Sequence, residues 1–209
     1  MPAVDLVLAS ASPARLALLQ AAGIEPTVIV SEVDEDAVAA QVGADEPEVL
    51  VAALARAKAE AVAARLDRPV RPTVVLGCDS LFAFEGRTGG KPADAAEAGA
   101  RIRSMRERVG VLHTGHHLID ARDARFVHSV AETTVRFGPM GDHEVDAYVA
   151  TGEPLRVAGS FTLDGRSAPW IDGVEGDHTN VVGLSLPTLR VLLGRMEMSI
   201  IDLWDRGEP

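Results

Sequence analysis

Short apolar runs of strand length alternate with helix-length segments along nearly the whole chain, and that interleaving restricts it to the α/β class. Residues 5–9 read as a short buried strand. Ser12 then caps a helix, Pro13 sits at its first position, Leu16, Leu18 and Leu19 form its body, and Gly23 stops it. Residues 27–30 form a second short strand that leads into Val33-Asp34-Glu35-Asp36. A long helix is predicted over about 47–66, capped by Asp45, with Leu50, Leu54, Lys58 and Val62 at successive i+4 positions. Lys58 therefore lies inside an apolar stripe, a place for a charge that reaches a cleft or snorkels outward.

Residues 73–78 are apolar and β-rich and end in Asp79, while 81–84 followed by Glu85-Gly86 read as a hairpin arm. Asp94 and Glu97 make a capping-box pattern for a helix reaching about Arg108. Two longer strands, 109–120 and 125–137, are joined by a polar turn. A short helix around Tyr148 ends at Gly152. Strands at 160–163 and 168–171, a loop at 173–180 and a final helix over 188–193 complete the pattern. The paired strands of the second half argue for a mixed sheet with flanking helices rather than a purely parallel one. With no repeat, low-complexity tract or linker, residues 1–209 read as a single domain.

Composition removes several function classes. A hydrophobic fraction of 47%, a charged fraction of 24% and a mean hydropathy of +0.12 exclude a disordered chain. No apolar run approaches the roughly 20 residues needed to cross a bilayer. The opening Met1-Pro2-Ala3-Val4-Asp5 lacks the basic region and cleavage site of a signal peptide. Cys78 is the only cysteine, which rules out an intrachain disulfide and suits a reducing cytoplasm. A net charge of −11 argues against gripping a nucleic-acid polymer, which needs a basic face. A phosphate ligand then requires a local cluster of cations or a bound metal. Only Lys58 and Lys91 are lysines among 20 basic residues, so both mark places where a compact ammonium is wanted rather than a guanidinium.

The chemistry-bearing residues fall into four groups. Ser10 and Ser12, with Arg15 on the following helical turn, put hydroxyls, backbone N–H groups and a guanidinium at a helix N-terminus, where anions bind. An ordinary Ser-Pro helix cap explains the same residues, and no Gly-x-Ser-x-Gly elbow supports a serine nucleophile. Asp34, Glu35 and Asp79 are carboxylates suited to Mg²⁺ or to activating water, although Asp34 and Asp36 also read as solvated turn acids. Asp79 closes a buried strand at the sheet's edge, where α/β proteins place ligands. Gly89-Gly90-Lys91-Pro92 lets backbone approach a ligand beside an ammonium, without Walker A spacing. His113, His116 and His117 invite zinc, yet with no Cys pair or helical His-Glu-x-x-His they read better as half-buried imidazoles on a strand.

Taken in order, these segments resemble the Maf family, the septum-formation-inhibitor-like nucleotide pyrophosphatases, over nearly the whole chain. The matching stretches are Leu8-Ala9-Ser10-Ala11-Ser12-Pro13-Ala14-Arg15, Val33-Asp34-Glu35, Leu54-Ala55-Arg56-Ala57-Lys58-Ala59, Gly77-Cys78-Asp79-Ser80 and Gly90-Lys91-Pro92. Tyr148-Val149-Ala150-Thr151-Gly152-Glu153-Pro154, Ala158-Gly159 and Gly176-Asp177-His178-Thr179-Asn180-Val181-Val182-Gly183-Leu184 follow.

The resemblance implies a mixed α/β fold related to the inosine triphosphate pyrophosphatases, with two lobes around a cleft. It implies cleavage of nucleoside triphosphates, including non-standard ones, to the monophosphate and pyrophosphate with Mg²⁺ or Mn²⁺. Asp79 matches the family's proposed catalytic base, and Glu35, Lys58, Lys91 and Arg15 its other charged site residues. Glu35 and Asp79 are then the expected metal ligands, with Ser10, Ser12 and Asn180 among the substrate-binding residues. Ala14, Ser80 and Asp164 replace an Arg, a Thr and a Gln at positions associated with base selection, so the preferred base stays open. Ser185 stands where a Pro usually follows Gly-Leu, a loop detail. A homodimer is plausible from the family alone. The alternative function is a nucleotide-binding regulator of cell division or septum formation with little turnover.

Overall fold

The computed structural model describes residues 2–43 and 46–204, so the helix cap expected at Asp45 lies outside the described residues. Among them the chain is α/β with a mixed seven-stranded sheet, as the interleaved pattern requires. In chain order the elements are β1 (Asp5–Leu8), α1 (Pro13–Ala21), β2 (Thr27–Val28), α2 (Glu35–Val42), α3 (Pro47–Ala63), β3 (Thr73–Phe84) and β4 (Arg87–Gly89). They continue with α4 (Ala95–Met105), β5 (Val109–Asp120), β6 (Phe126–Phe137), α5 (Asp142–Ala150), β7 (Ile171–Gly176), α6 (His178–Val182) and α7 (Leu186–Arg195). The strand order is β2-β1-β3-β5-β6-β7, with β4 also on β3. β1 pairs in parallel with β2 and β3, whereas β3 with β4 and β6 with β7 are antiparallel. No described helix is long and apolar enough to cross a membrane.

The chain divides into two compact units. Unit 1 comprises Met1–Asp79, Thr114–Ala131 and Gly183–Pro209, and unit 2 comprises Ser80–His113 and Glu132–Val182. In unit 1 the two-residue period of a strand sends alternate side chains to opposite faces. Leu6, Leu8, Val74, Leu76 and Cys78 enter one core with Leu19, Leu189 and Leu192. Val7, Ala9 and Val75 enter the other with Ala59 and Val62 of α3. By that parity Gly77 and Asp79 face α3. Unit 2 has its own core, in which Phe82, Phe137 and Phe161 meet edge to face at centroid separations of 4.9–5.8 Å.

Several local expectations need correction. Residues 73–78 and 81–84 are joined in one continuous strand, β3, whose far end forms the expected hairpin arm with β4. Residues 35–42 form a helix that the sequence hid, because α2 buries no side chain and so has no apolar stripe. Its signals are its caps: Asp34 Oδ1 accepts from Ala37 N at 3.0 Å, and Gly43 ends it at φ 57°. The expected strands at 160–163 and 168–171 are replaced by 3₁₀ turns over Ala158–Ser160 and Ala168–Trp170. Gly159 and Ser160 both hold positive φ, at 74° and 62°, which no extended strand allows. The expected loop at 173–180 is instead β7 and α6, a rim strand whose half-exposed, polar sequence resembles a loop.

Candidate active site

The turn from β1 into α1 supplies the first cation of unit 1. Ser12 is the helix cap, its Oγ accepting from Arg15 N at 3.4 Å, and Pro13 follows at the first position. Ser10 Oγ accepts from Ser12 N at 3.2 Å and from Arg15 Nη1 at 2.9 Å. A guanidinium cannot take a hydroxyl proton, so this contact does not activate Ser10 as a nucleophile. Arg15 is only 8% exposed, and its Nε donates to the carbonyl of Gly183 at 2.8 Å. Ala14, beside it, is half-buried.

The second cation comes from α3. This helix lies close against the sheet because two facing strand residues lack a side chain. A Cβ on Gly77 would overlap the Ala55 carbonyl oxygen and stand 2.7 Å from Ala59 N, and one on Gly115 would overlap the Val51 carbonyl. That approach brings Lys58 over the next inward residue of β3. Lys58 Nζ lies 2.5 Å from Asp79 Oδ1 and 2.6 Å from Glu35 Oε1. Lys58 and Asp79 are buried, whereas the Glu35 side chain is 57% exposed at the start of α2. The lysine in the apolar stripe thus reaches a carboxylate rather than solvent.

Burial raises the Asp79 carboxyl above its usual range. The charges of Lys58 and Arg15 pull it back, and Glu35 adds a smaller upward push. Burial also pushes the neighbouring Cys78 thiol up to about 12, leaving it a protonated core residue.

Unit 2 holds the remaining candidates. Ser80 is half-buried directly after Asp79. Lys91 is exposed just past β4, on a glycine segment held by Arg101, whose Nη1 donates to Gly90 O at 2.7 Å. Glu97 fixes that arginine at 2.6 and 3.1 Å. Asp164 is exposed in a loop tied by Glu153 Oε1, which accepts from Thr162 Oγ1 at 2.6 Å and from Arg166 N at 2.8 Å. Asn180 is fully buried, and its Nδ2 donates to Leu112 O at 3.2 Å and Thr133 Oγ1 at 3.1 Å. Its amide braces the interior of unit 2.

The three histidines are all buried, more deeply than the half-buried strand surface expected of them. In unit 1 the His117 ring stacks with Phe126 and His128 at centroid distances of 5.1 and 6.1 Å. Burial lowers its pKa from the ordinary 6.5 to about 4. The unfolded chain therefore binds a proton that the native ring refuses, and stability falls as pH drops from about 6.5 towards about 4. Thermal denaturation across that interval checks this: His117→Phe keeps the stack and is expected to lessen the acid sensitivity.

Unit 1 thus gathers Ser10, Arg15, Glu35, Lys58 and Asp79. Sequence reasoning missed the Gly183 carbonyl as the partner of Arg15, because 168 residues separate them.

The family model described as Maf-like protein matches residues 5–196. A nucleoside triphosphate pyrophosphatase of Streptomyces coelicolor is 55% identical over 207 residues, covering 99% of this chain and 98% of its own length. The protein of the same name from Streptomyces avermitilis is 54% identical with the same coverage. That from Mycobacterium tuberculosis is 50% identical, over 95% of this chain and 93% of its own.

Proposed function

The chain belongs to the Maf-like family, and on that footing we propose that it hydrolyses nucleoside triphosphates to the nucleoside monophosphate and pyrophosphate. The observation that best supports this reading is the Lys58 ammonium held between Asp79 and Glu35, with the buried Arg15 charge acting on the same carboxylate. Phosphoryl chemistry asks a protein mainly for positioning and charge neutralisation, and these residues offer both.

In this reading water attacks the α-phosphorus, the bond to the α–β bridging oxygen breaks, and pyrophosphate leaves with that electron pair. Asp79 orients the water and accepts its proton, a task favoured by a carboxyl raised above its usual range. Arg15, Lys58 and Lys91 offset the triphosphate charge, and Ser10 and Ser12 shape the Arg15 turn. Glu35 and Asp79 present hard carboxylate oxygens around one ammonium, a donor set that fits Mg²⁺ or Mn²⁺. These two residues would hold the ion, which when bound neutralises phosphate charge. Ala14, Ser80 and Asp164 bear on the base. The same reading takes both units as one Maf-like domain acting on free nucleotides in the cytoplasm, and it admits a homodimer.

Pyrophosphate release from a panel of common and modified nucleoside triphosphates, with Mg²⁺, Mn²⁺ or EDTA, tests the proposal. Metal-dependent formation of monophosphate and pyrophosphate is expected. Tight nucleotide binding with no turnover of any member would replace it with the regulator of septum formation.

A further inference from the structure

Arg15 donates to Ser10 Oγ and to the Gly183 carbonyl. The Gly183 carbonyl belongs to a turn that is itself pinned. Ser185 N donates to His116 Nε2 at 2.9 Å, and the other ring nitrogen, Nδ1, lies 3.0 Å from Thr114 O. A ring that accepts at Nε2 carries its proton on Nδ1, which then donates to Thr114 O and fixes one neutral tautomer. His116 and Ser185 are each 1% exposed, so neither exchanges these bonds with solvent. Gly183 stands at φ +127°, a conformation that L side chains rarely adopt. With the turn held in that shape, anchoring Ser185 N–H decides where Gly183 O stands.

We propose that His116 is a positioning residue for the phosphate-binding cation, setting the Arg15 guanidinium through Ser185 N–H and Gly183 C=O. The inference rests on the function proposed above, in which Arg15 carries triphosphate charge. It gives a strand histidine with no direct part in the chemistry a measurable share of catalytic efficiency. It also gives Ser185 two separable duties. Its backbone donor serves His116, while its hydroxyl caps α7 by accepting from Thr188 N at 3.1 Å.

The test is a double-mutant cycle on kcat/KM for pyrophosphate release, using His116→Phe, Arg15→Ala and the pair. His116→Phe is expected to lower kcat/KM about 10-fold, within the range that small misplacements cost. In the Arg15→Ala background the same change should matter less than about twofold. His116→Gln, whose amide oxygen can take the acceptor position, should recover part of the loss. Ser185→Pro removes the donor at a φ of −77°, which proline accepts, and should behave like His116→Phe. Ser185→Ala keeps the donor and should lose less.

Equal losses in both Arg15 backgrounds overturn the proposal, as does Ser185→Ala proving as damaging as Ser185→Pro. If His116→Phe does not fold, the Ser185 pair decides. If the unaltered protein turns over no nucleotide, the functional reading fails separately. The same cycle is then read on calorimetric binding of inorganic tripolyphosphate. A loss that disappears with Arg15→Ala supports the positioning role, and one that persists overturns it.

Discussion

Replacing Asp79 with Asn is expected to lower pyrophosphate release by about a thousandfold while the fold is retained. The amide has nearly the shape of the carboxyl and still accepts from Lys58 Nζ, so the ammonium keeps two oxygen partners, one of them on Glu35. What is lost is the ability to take a proton. Truncation to Ala would be a poorer experiment, because removing one partner of a buried ion pair costs about 3–5 kcal/mol and confuses folding with chemistry. Under the role proposed for Asp79 the unaltered protein should show an acid limb in kcat/KM, since a base must be ionised and burial raises this carboxyl above its ordinary range. Initial rates across pH, with circular dichroism as the control for folding, check both points. Retained activity in Asp79→Asn would remove Asp79 from the base role.

The largest effect on stability is expected from Gly77→Ala. Its new methyl would meet the Ala55 carbonyl oxygen and Ala59 N, both backbone atoms in the middle of α3, which no rotamer change can move aside. Overpacking a core costs about 1–3 kcal/mol when side chains can yield. Here the helix itself must shift, and the loss should reach or exceed the top of that range. Denaturant unfolding reads the cost directly. Because the displaced helix also carries Lys58, activity should fall further than the lost folded fraction accounts for. A variant as stable as the original would mean that α3 has room to retreat from the sheet.

The parts of this molecule that were legible in its sequence are those governed by local rules. Ser12-Pro13 announces α1, the two long runs joined by a polar turn give β5 and β6, and Lys58 in an apolar stripe marks a charge that reaches a cleft or snorkels outward, the first of which the structure shows. The illegible parts depend on burial or distance. α2 carries Glu35 to Lys58, but it packs with no buried face, so periodicity could not reveal it. The tract over 158–176 was misread because positive-φ residues and a polar rim strand each imitate another element. The Ser185 N–H bond to His116 spans 69 residues, and only the folded chain brings donor and acceptor together. A serine that looked like a loop detail thereby gains a backbone partner.

The sharing of one ammonium between two carboxylates has an electrical consequence. With Arg15, Lys58, Glu35 and Asp79 all ionised, these four charges of unit 1 cancel, a locally electroneutral patch in a protein of net charge −11. Such a patch does not itself draw a polyphosphate from afar, and the surrounding net charge of −11 repels one, so association should quicken as salt screens that field. Acidification upsets the cancellation in one direction only. Once Asp79 takes up a proton the patch becomes cationic, and under the role proposed for Asp79 it holds the anion more tightly just as it loses its base.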